Sequence, residues 1–382
     1  MRPIVIASVV LALQIPLTTR AADWLEFRGT DRSGISTEAQ APLTWSAEKN
    51  VKWKVALPSG GNSSPIVSAD RVFLNCAQDP QGLHRSLYCF NRADGKQLWV
   101  KTISWQQRDP SHAANPYCAP TPAADGKHVV VWHGSAGLFC YDYDGNELWR
   151  LDLGAIRHIW GFAGSPVIHG DLVILNCGPG ARSFVTAINL QTGKEIWQTD
   201  EPGGAEDTSK ETGTWIGSWS TPVIAKVDGQ EQALVTMPRH VNAYDLQSGK
   251  ILWTCSGTGD LAYSDPMVNA ELKVCVAMAG YGGTAIGFKL GGSGDITASN
   301  RLWQSTTKPP QRIGNGVMIG KSLFMVQEPG FLCLDPLTGK ERWSHREPGQ
   351  VFWASIVAVA DRLYVTSQSG TTFVFAADER EY

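Results

Sequence analysis

The chain has 382 residues, and 43% of them are apolar, so it can bury a large core. Its 33 basic and 36 acidic residues leave a net charge of −3. Such a balance provides no basic surface for nucleic acid, and we expect no nucleic-acid partner.

Residues 1–22 have the composition of a secretory signal peptide. Arg2 precedes an apolar run that ends at Leu17, and small residues lie just before Asp23. The run is short for a bilayer, so cleavage before Asp23 is favoured over an N-terminal membrane helix. We predict a periplasmic or secreted mature chain without a membrane span.

One turn motif recurs along the chain and leads each time to a tryptophan. In its clearest copy, residues 189–197, an Asn opens the turn, Gly-Lys closes it and Trp197 follows. The Asn or Asp side chain can accept turn N–H groups, and glycine can adopt positive φ. The ring on the returning strand can be buried. The tryptophans that we predict to be structural are Trp53, Trp99, Trp149, Trp197, Trp253, Trp303 and Trp343.

A second marker precedes a short strand in each unit, and β-rich segments follow it. It is usually Ser-Pro or Thr-Pro, and proline suits the first residue of a strand. Each unit thus holds about four strands, which predicts an all-β propeller of four-stranded blades. The copies of the marker are Ser64-Pro65, Thr121-Pro122, Ser165-Pro166, Thr221-Pro222 and Ser264-Asp265-Pro266, with Asn315-Gly316 and Ala354-Ser355 as two copies that lack proline.

The two ends of the repeat region are predicted to complete one blade. Residues 23–50 form a lead-in segment, and residues 51–382 form the propeller. Residues 51–55 resemble a tryptophan-bearing last strand, and residues 371–375 resemble a third strand with no last strand after it. Joining them would close the ring and remove two exposed sheet edges. This count predicts seven blades, with an eight-bladed ring and a shortened C-terminus as the alternative.

All eight cysteines lie in the predicted mature chain, where an even number permits disulfides. Cys89, Cys140 and Cys333 occupy the same strand position in three units, which suits a small buried apolar residue. We therefore expect mostly buried, unpaired thiols.

The chain resembles exported pyrroloquinoline-quinone-like (PQQ-like) propeller repeat proteins, related in repeat style to the outer-membrane-protein assembly propeller. The resemblance is carried by residues 24–29, residues 134–139 and the Gly-Lys-x-x-Trp turns, and it covers nearly all of the mature sequence. It implies the architecture and says little about function. Such relatives look longer at the C-terminus and often make eight blades.

Quinone-dependent alcohol dehydrogenases share this repeat and would make the chain an enzyme. The resemblance to them implies an adjacent Cys-Cys pair and carboxylate and amide ligands for calcium, and no two cysteines here are adjacent. Asp142, Asp144 and Gly145 mimic part of a calcium loop, but they occupy the place of a hairpin turn. We expect no cofactor, metal or catalytic residue, and keep a quinone- or metal-dependent oxidoreductase as the alternative.

The loops that enter the first strands are rich in aromatic and polar residues. Such residues could pack between blades, but in a concave surface they are typical recognition anchors. We predict a non-catalytic binding or scaffold protein whose loop-lined funnel takes an envelope protein, a peptide or a glycan. The predicted funnel residues are Arg108, His112, Tyr117, Arg157, His158, Trp160, Trp215, Trp219, Tyr263, Arg312 and Trp353.

Overall fold

The computed structural model describes residues 22–201, 215–305 and 312–382, so the predicted signal peptide lies outside the described residues except for Ala22. Within these ranges the two helical segments are a 3-10 turn at Gly134–Ala136 and α1 (Thr297–Asn300), and the all-β prediction is confirmed. Neither is long and apolar enough to cross a lipid bilayer. The strands are β1 (Ile35–Ser36), β2 (Ile66–Ser68), β3 (Arg71–Ala77), β4 (His84–Asn91), β5 (Gln97–Ser104), β6 (Ala123–Ala124), β7 (His128–Trp132), β8 (Leu138–Asp142), β9 (Glu147–Leu151), β10 (Val167–His169), β11 (Leu172–Cys177), β12 (Phe184–Asn189), β13 (Glu195–Asp200), β14 (Gly217–Ser218), β15 (Val223–Val227), β16 (Gln230–Met237), β17 (His240–Asp245), β18 (Ile251–Ser256), β19 (Leu261–Ala262), β20 (Met267–Asn269), β21 (Val274–Met278), β22 (Ala285–Lys289), β23 (Gly294–Asp295), β24 (Arg301–Gln304), β25 (Val317–Ile319), β26 (Ser322–Gln327), β27 (Gly330–Leu334), β28 (Glu341–Arg346), β29 (Val357–Val359), β30 (Arg362–Thr366) and β31 (Thr372–Ala376).

The predicted four-stranded blades are present. Successive strands of each blade pair antiparallel, whereas β1 and β23 join their sheets in parallel. The described residues hold seven such sheets, named in chain order: blade 1 is β2–β5, blade 2 is β6–β9, blade 3 is β10–β13, blade 4 is β15–β18 with β23, blade 5 is β20–β22 with β24, blade 6 is β25–β28, and blade 7 is β29–β31 with β1.

Each fourth-strand tryptophan stands opposite a small residue of the third strand, next to a β-bulge. Trp197 pairs with Ala187, and Trp149 pairs with Cys140. The small partner leaves room for the indole, and the bulge bends the strand locally. Cys89 and Cys333 hold the same position opposite their own tryptophans. All eight cysteines are buried free thiols, as the repeat pattern predicted.

The indole also joins its blade to the next one. Nε1 of Trp149 donates to the carbonyl of Leu190 at 2.7 Å, in the turn of blade 3. A Cβ atom on Gly193 of that turn would lie 2.7 Å from the indole, and Gly193 has a φ of +69°. Both the lack of space for a Cβ atom and the positive φ therefore require glycine at position 193. Trp253 differs, since its Nε1 donates to Gln232 in its own blade at 2.9 Å.

The second repeat marker forms a chain of hydrogen bonds between neighbouring blades. In each of the first six markers a backbone N–H donates to the side-chain oxygen of the marker residue in the following blade. This arrangement explains why the position takes Ser, Thr, Asp or Asn. The bonds run from Ser64 to Thr121 at 2.9 Å, Thr121 to Ser165 at 3.0 Å, Ser165 to Thr221 at 3.2 Å, Thr221 to Asp265 at 2.7 Å, Asp265 to Asn315 at 2.7 Å, and Asn315 to Ser355 at 3.0 Å.

The prediction that residues 51–55 form the last strand of blade 7 is wrong, because they lie outside any strand. Trp53 keeps the contact of a fourth-strand tryptophan, with its Nε1 donating to the carbonyl of Arg92 at 2.9 Å. The chain reaches blade 7 earlier, where Ile35 of β1 pairs with Ala358 of β29. The two ends therefore meet at the inner strand of the blade and not at its outer edge.

Residues 24–36, here called the axial segment, run along the inner strands of several blades. Trp24 and Val67 of blade 1 exchange two backbone hydrogen bonds, at 2.7 and 2.8 Å. The carbonyl of Leu25 accepts a hydrogen bond from the N–H of Ala124 in blade 2, at 2.8 Å. With β1 bound to blade 7, the segment ties together blades that are distant in sequence.

Arg28 fixes the axial segment to the far side of the ring. Its Nη2 donates to the carbonyl of Gly316 at 2.5 Å and to that of Ser33 at 2.7 Å, and Nη1 donates to that of Ile356 at 3.4 Å. The guanidinium is buried and interacts electrostatically with the buried carboxyl of Asp265. A cavity of about 310 Å³ lies beside these two groups, against blades 4 to 6.

Burial controls the ionisation of the charged groups on the axis. It lowers the pKa of Arg28 to about 10 and raises the pKa of Asp265 to about 7, against the opposing pull of Arg28. Burial also raises the pKa of Glu26 to about 7, although this carboxylate forms an ion pair with Arg32.

Asp265 should make the stability of the fold depend on pH. Its pKa is raised from 3.8 to about 7, so the folded state binds the proton more tightly than the unfolded state. The contribution of the protonated carboxyl is therefore complete below about pH 4 and lost as the pH rises through about 7. We expect Asp265→Asn to gain stability relative to the unaltered protein between pH 4 and 8, measured as the free energy of unfolding in urea. A difference that is constant over this range would contradict the assignment.

Candidate functional site

The loop face holds a cluster of six aromatic side chains, hereafter the aromatic cluster. The ring of Trp160 lies 5.3 Å from that of Trp215 and 6.0 Å from that of Trp219, centroid to centroid. His158 lies 5.1 Å from Trp219. The other members are Tyr263, 4.8 Å from Trp219, and Tyr281, which is nearly parallel to Trp160 at 6.3 Å. Five of these residues were predicted, and the structure brings them together.

The aromatic cluster has a buried floor and an exposed rim. His158 and Trp219 are buried, while Trp160, Trp215 and Tyr263 are partly buried. Tyr281 at the rim has 63% of its surface exposed. Flat rings that are held on one side and open on the other can stack on a ligand without reorganising.

Hydrogen bonds to backbone carbonyls hold the contributing loops in place. The N–H of Gly161 donates to the carbonyl of His158 at 2.9 Å, which closes a turn around Trp160. Nδ2 of Asn115 donates to the carbonyl of Trp160 at 2.8 Å from the preceding loop. Nε1 of Trp219 donates to the carbonyl of Gly161 at 3.0 Å.

The loops before blades 4 and 5 are joined by a small parallel sheet. β14 pairs with β19, and the N–H of Trp219 donates to the carbonyl of Ala262 at 2.8 Å. This pairing sets Trp219 beside Tyr263. Burial raises the pKa of Tyr263 above its usual range, so its hydroxyl stays protonated at neutral pH. The aromatic cluster is thus positioned by backbone hydrogen bonds from three loops.

Tyr117 lies in the core rather than on the accessible loop face. It is buried, its ring lies against Gly82, and its hydroxyl donates to the carbonyl of Asp109 at 2.5 Å. The guanidinium of Arg85 stacks near the same ring at 5.2 Å and forms a buried ion pair with Asp109 at 2.8 Å. This neighbourhood stabilises the contact between blades 1 and 2.

The remaining predicted funnel residues are not members of the aromatic cluster. Arg108, His112 and Arg157 are exposed. Arg312 donates to Oε1 of Gln327 at 2.6 Å, and burial lowers its pKa to about 10. Nε1 of Trp353 donates to Glu328 at 2.5 Å. In the described part of the chain, no ring contact joins Trp353 to the cluster.

Tyr281 is not among the predicted funnel residues, and it lies in the glycine-rich stretch of residues 280–283. These residues form a turn, in which the N–H of Gly283 donates to the carbonyl of Gly280 at 3.1 Å. Tyr281 has a φ of +51°, which is uncommon for a bulky side chain. The sequence offers only a weak signal, a single aromatic residue flanked by glycines, and the exposure of its side chain is visible only in the structure.

The described residues do not match the quinone and calcium site that the alcohol dehydrogenase resemblance implies. Their cysteines are buried and none are adjacent. No group of three or more His, Cys, Asp or Glu side chains in ranges 22–201, 215–305 and 312–382 could hold a metal ion. Asp142 instead closes its hairpin turn, accepting the N–H of Asp144 at 2.9 Å and that of Asn146 at 2.8 Å.

Two curated relatives resemble the chain at low identity. Quinohemoprotein alcohol dehydrogenase ADH-IIG of Pseudomonas putida is 28% identical over 171 residues, which cover 42% of this chain and 21% of the relative. Outer membrane protein assembly factor BamB of Burkholderia pseudomallei (strain K96243) is 23% identical over 289 residues, covering 74% of this chain and 67% of the relative. The match thus spans about a fifth of the dehydrogenase and two thirds of the assembly factor.

Among solved structures, BamB from Moraxella catarrhalis superposes with a TM-score of 0.57 at 16% identity, covering 86% of this chain and 84% of that one. At this identity the likeness supports the propeller fold alone. The profile of one family, outer membrane protein assembly factor BamB, matches residues 83–205 and 181–292, together more than half of the chain. The chain therefore belongs to the family described as outer membrane protein assembly factor BamB.

Proposed function

We propose that this protein is a non-catalytic binding protein that holds an extended segment of an envelope protein on its aromatic cluster. The observation that carries the proposal is the pre-positioned group of partly exposed rings, Trp160, Trp215 and Tyr281, on the loop face. Aromatic side chains with a buried floor and an open rim are typical binding hot spots. The exposed guanidinium of Arg157, close in sequence to Trp160, could pair with an acidic group of the partner.

The comparisons support this class of function. The family and one relative carry the name of an assembly factor for outer membrane proteins. Together with the predicted signal peptide, this name supports a location in the periplasm or outside the cell, and an envelope protein as the partner. Recovery of the protein in the cytoplasmic fraction of its own cells would contradict the location.

Removing two rings of the rim should abolish binding while the fold survives. Trp160→Ala with Trp215→Ala should weaken capture of the envelope partner by about 2 kcal/mol or more, roughly thirtyfold. Both side chains are only partly buried, so the free energy of unfolding should fall by about 1 kcal/mol. The measurement is pull-down from envelope extract, paired with a melting curve for each variant.

Trp45→Ala is the matched control, because Trp45 is 44% exposed and lies far along the chain from the aromatic cluster. It should capture the partner as the unaltered protein does. If the double variant instead unfolds, and its folded remainder still captures the partner, the rings serve packing and the proposal fails.

The second candidate function is that of a quinone-dependent oxidoreductase, favoured by the match to the alcohol dehydrogenase. The absorbance spectrum and metal content of protein purified from its own cells separate the two candidates. A quinone absorbance with stoichiometric metal would replace the binding proposal with an enzymatic one.

A further inference from the structure

Residues 42–58, hereafter the exposed segment, lie on the surface between β1 and blade 1. Every residue of the segment is exposed except Trp53, whereas no other run of exposed residues in the described ranges is longer than four. Five of the thirteen large apolar side chains that are exposed in those ranges belong to this one segment. They are Leu43, Trp45, Val51, Val55 and Leu57. Such a concentration of exposed apolar surface is typical of a binding surface.

Hydrogen bonds hold the exposed segment in a defined conformation. The backbone groups of Ser46 and Lys49 exchange two hydrogen bonds, at 3.0 and 3.3 Å, and close a tight turn. Nδ2 of Asn50 donates to the carbonyl of Thr44 at 2.7 Å across the same turn. Further along, the indole of Trp53 anchors the segment to blade 1. The exposed apolar side chains are therefore carried on an ordered backbone, which lowers the entropic cost of binding.

The exposed segment is basic, although the chain as a whole has a net charge of −3. It contains Lys49, Lys52 and Lys54 but a single acidic residue, Glu48. All three lysines are exposed. Among residues 22–201, 215–305 and 312–382, no ion pair involves any of them. Cations interleaved with apolar side chains are complementary to a surface that is anionic outside and apolar beneath.

This composition favours a lipid bilayer over a protein as the partner of the exposed segment. Protein interfaces are enriched in arginine and methionine and depleted in lysine. The segment has three lysines and neither arginine nor methionine. Segments that lie in the headgroup region of a bilayer combine lysine with tryptophan and aliphatic side chains, as this one does. Anionic headgroups attract the lysines, and the apolar side chains enter the boundary with the acyl chains.

We propose that the exposed segment binds the surface of a bilayer that contains anionic phospholipid. Leu43 and Trp45 would enter the headgroup region, while Lys49, Lys52 and Lys54 contact the phosphate groups. The protein would thus lie on the membrane without spanning it. This inference does not depend on the ligand of the aromatic cluster.

The test is flotation of the purified protein with lipid vesicles. Vesicles of phosphatidylglycerol and phosphatidylcholine should carry the protein, and vesicles of phosphatidylcholine alone should carry little of it. Binding should weaken as the salt concentration rises, because salt screens the attraction between lysine and headgroup. Replacing Lys49, Lys52 and Lys54 together with glutamine should weaken binding to the anionic vesicles roughly a hundredfold, at about fivefold for each lysine.

The matched control for the lysines removes the same charge elsewhere. Lys194, Lys250 and Lys340 are exposed lysines of the repeated turns, and their joint replacement with glutamine should leave vesicle binding unchanged. Failure of the unaltered protein to float with the anionic vesicles would overturn the proposal. Equal losses in the two triple variants would overturn it as well, because binding would then depend on total charge alone.

A second pair of variants tests insertion of the apolar side chains. Leu43→Ala with Trp45→Ala should weaken vesicle binding by roughly tenfold or more, since two apolar side chains no longer leave water. The melting temperature should stay unchanged, because these side chains are 59% and 44% exposed. Leu148→Ala with Ile196→Ala is the control, with similar exposure on outer strands, and should bind vesicles normally.

Two results of this second comparison would contradict the proposal. The first is vesicle binding that survives the loss of Leu43 and Trp45 without change. The second is capture of a protein from lipid-free envelope extract that Leu43→Ala with Trp45→Ala abolishes, without any binding of the unaltered chain to vesicles. That result would assign the exposed segment to a protein partner instead.

Discussion

Replacing Arg28 with methionine should lower the free energy of unfolding by about 3–5 kcal/mol at pH 8, on the order of the cost of removing one of two interacting buried charges. The substitution leaves the carbonyls of Gly316 and Ser33 without this donor and removes the cation beside Asp265. At pH 5 the loss should be smaller, because the carboxyl of Asp265, with its pKa near 7, is then protonated and needs no counter-charge. Unfolding in urea at both values of pH measures the effect.

Arg380→Met is the matched control for Arg28. Arg380 forms a hydrogen-bonded ion pair with Asp378, but its side chain is exposed, and exposed pairs contribute little. We expect no measurable change in the free energy of unfolding. If Arg28→Met were as mild as the control, the axial segment would not hold the blades together.

Trp197→Ala should be comparably damaging, with a loss of about 3–5 kcal/mol as for other aromatic truncations in cores. The indole of Trp197 is buried, packs against Gly249 and donates to the carbonyl of Leu246 at 2.9 Å. Its removal would open a cavity between blades 3 and 4 and leave that turn without its donor. The melting temperature should fall markedly.

Ile196→Ala provides the comparison for Trp197 in the adjacent position of the same strand. Ile196 is 45% exposed on the outer surface, so its truncation should leave the melting temperature almost unchanged. Equal effects of the two substitutions would show that the repeated tryptophan is not the contact that joins the blades.

The repeat architecture could be predicted because its cause is local and recurs. The turn that begins at Asn189 and the ring of Trp197 are a few residues apart, and the same pairing recurs along the chain. The role of the Ser-Pro and Thr-Pro marker could not be inferred from a local pattern. Thr121 and Ser165 meet only when two blades are adjacent, so the hydrogen bond between them has no local signal.

The particular contacts of the axial segment could not be predicted, for the same reason. Arg28 and Gly316 are far apart in sequence, and no periodicity marks their contact. For residues 51–55 the local pattern predicted a strand that the structure does not contain. Their pattern matches a fourth strand and Trp53 makes the expected contact, but a strand also needs a hydrogen-bonded neighbour, which sequence pattern cannot supply.

For the candidate site, the grouping of the residues could be predicted from the sequence, but their exposure could not. His158, Trp160, Trp215, Trp219 and Tyr263 were found together because loops that enter adjacent inner strands lie on one face of a propeller. Whether a given ring is exposed depends on what packs over it, which varies from loop to loop. Composition alone therefore could not separate the buried Tyr117 from the accessible Trp160, or reveal Tyr281 inside a turn.

A photoreactive phenylalanine at position 281 tests the central claim most directly, since the side chain there is 63% exposed and lies at the rim of the aromatic cluster. Irradiation of living cells should link this protein to an envelope protein, identified by mass spectrometry, and Trp160→Ala with Trp215→Ala in the same chain should abolish the product. The same photoreactive residue at position 45, outside the aromatic cluster, should not yield that product. Absence of any product at position 281, or a product that survives loss of the two tryptophans, would contradict the assignment of the aromatic cluster as the binding site.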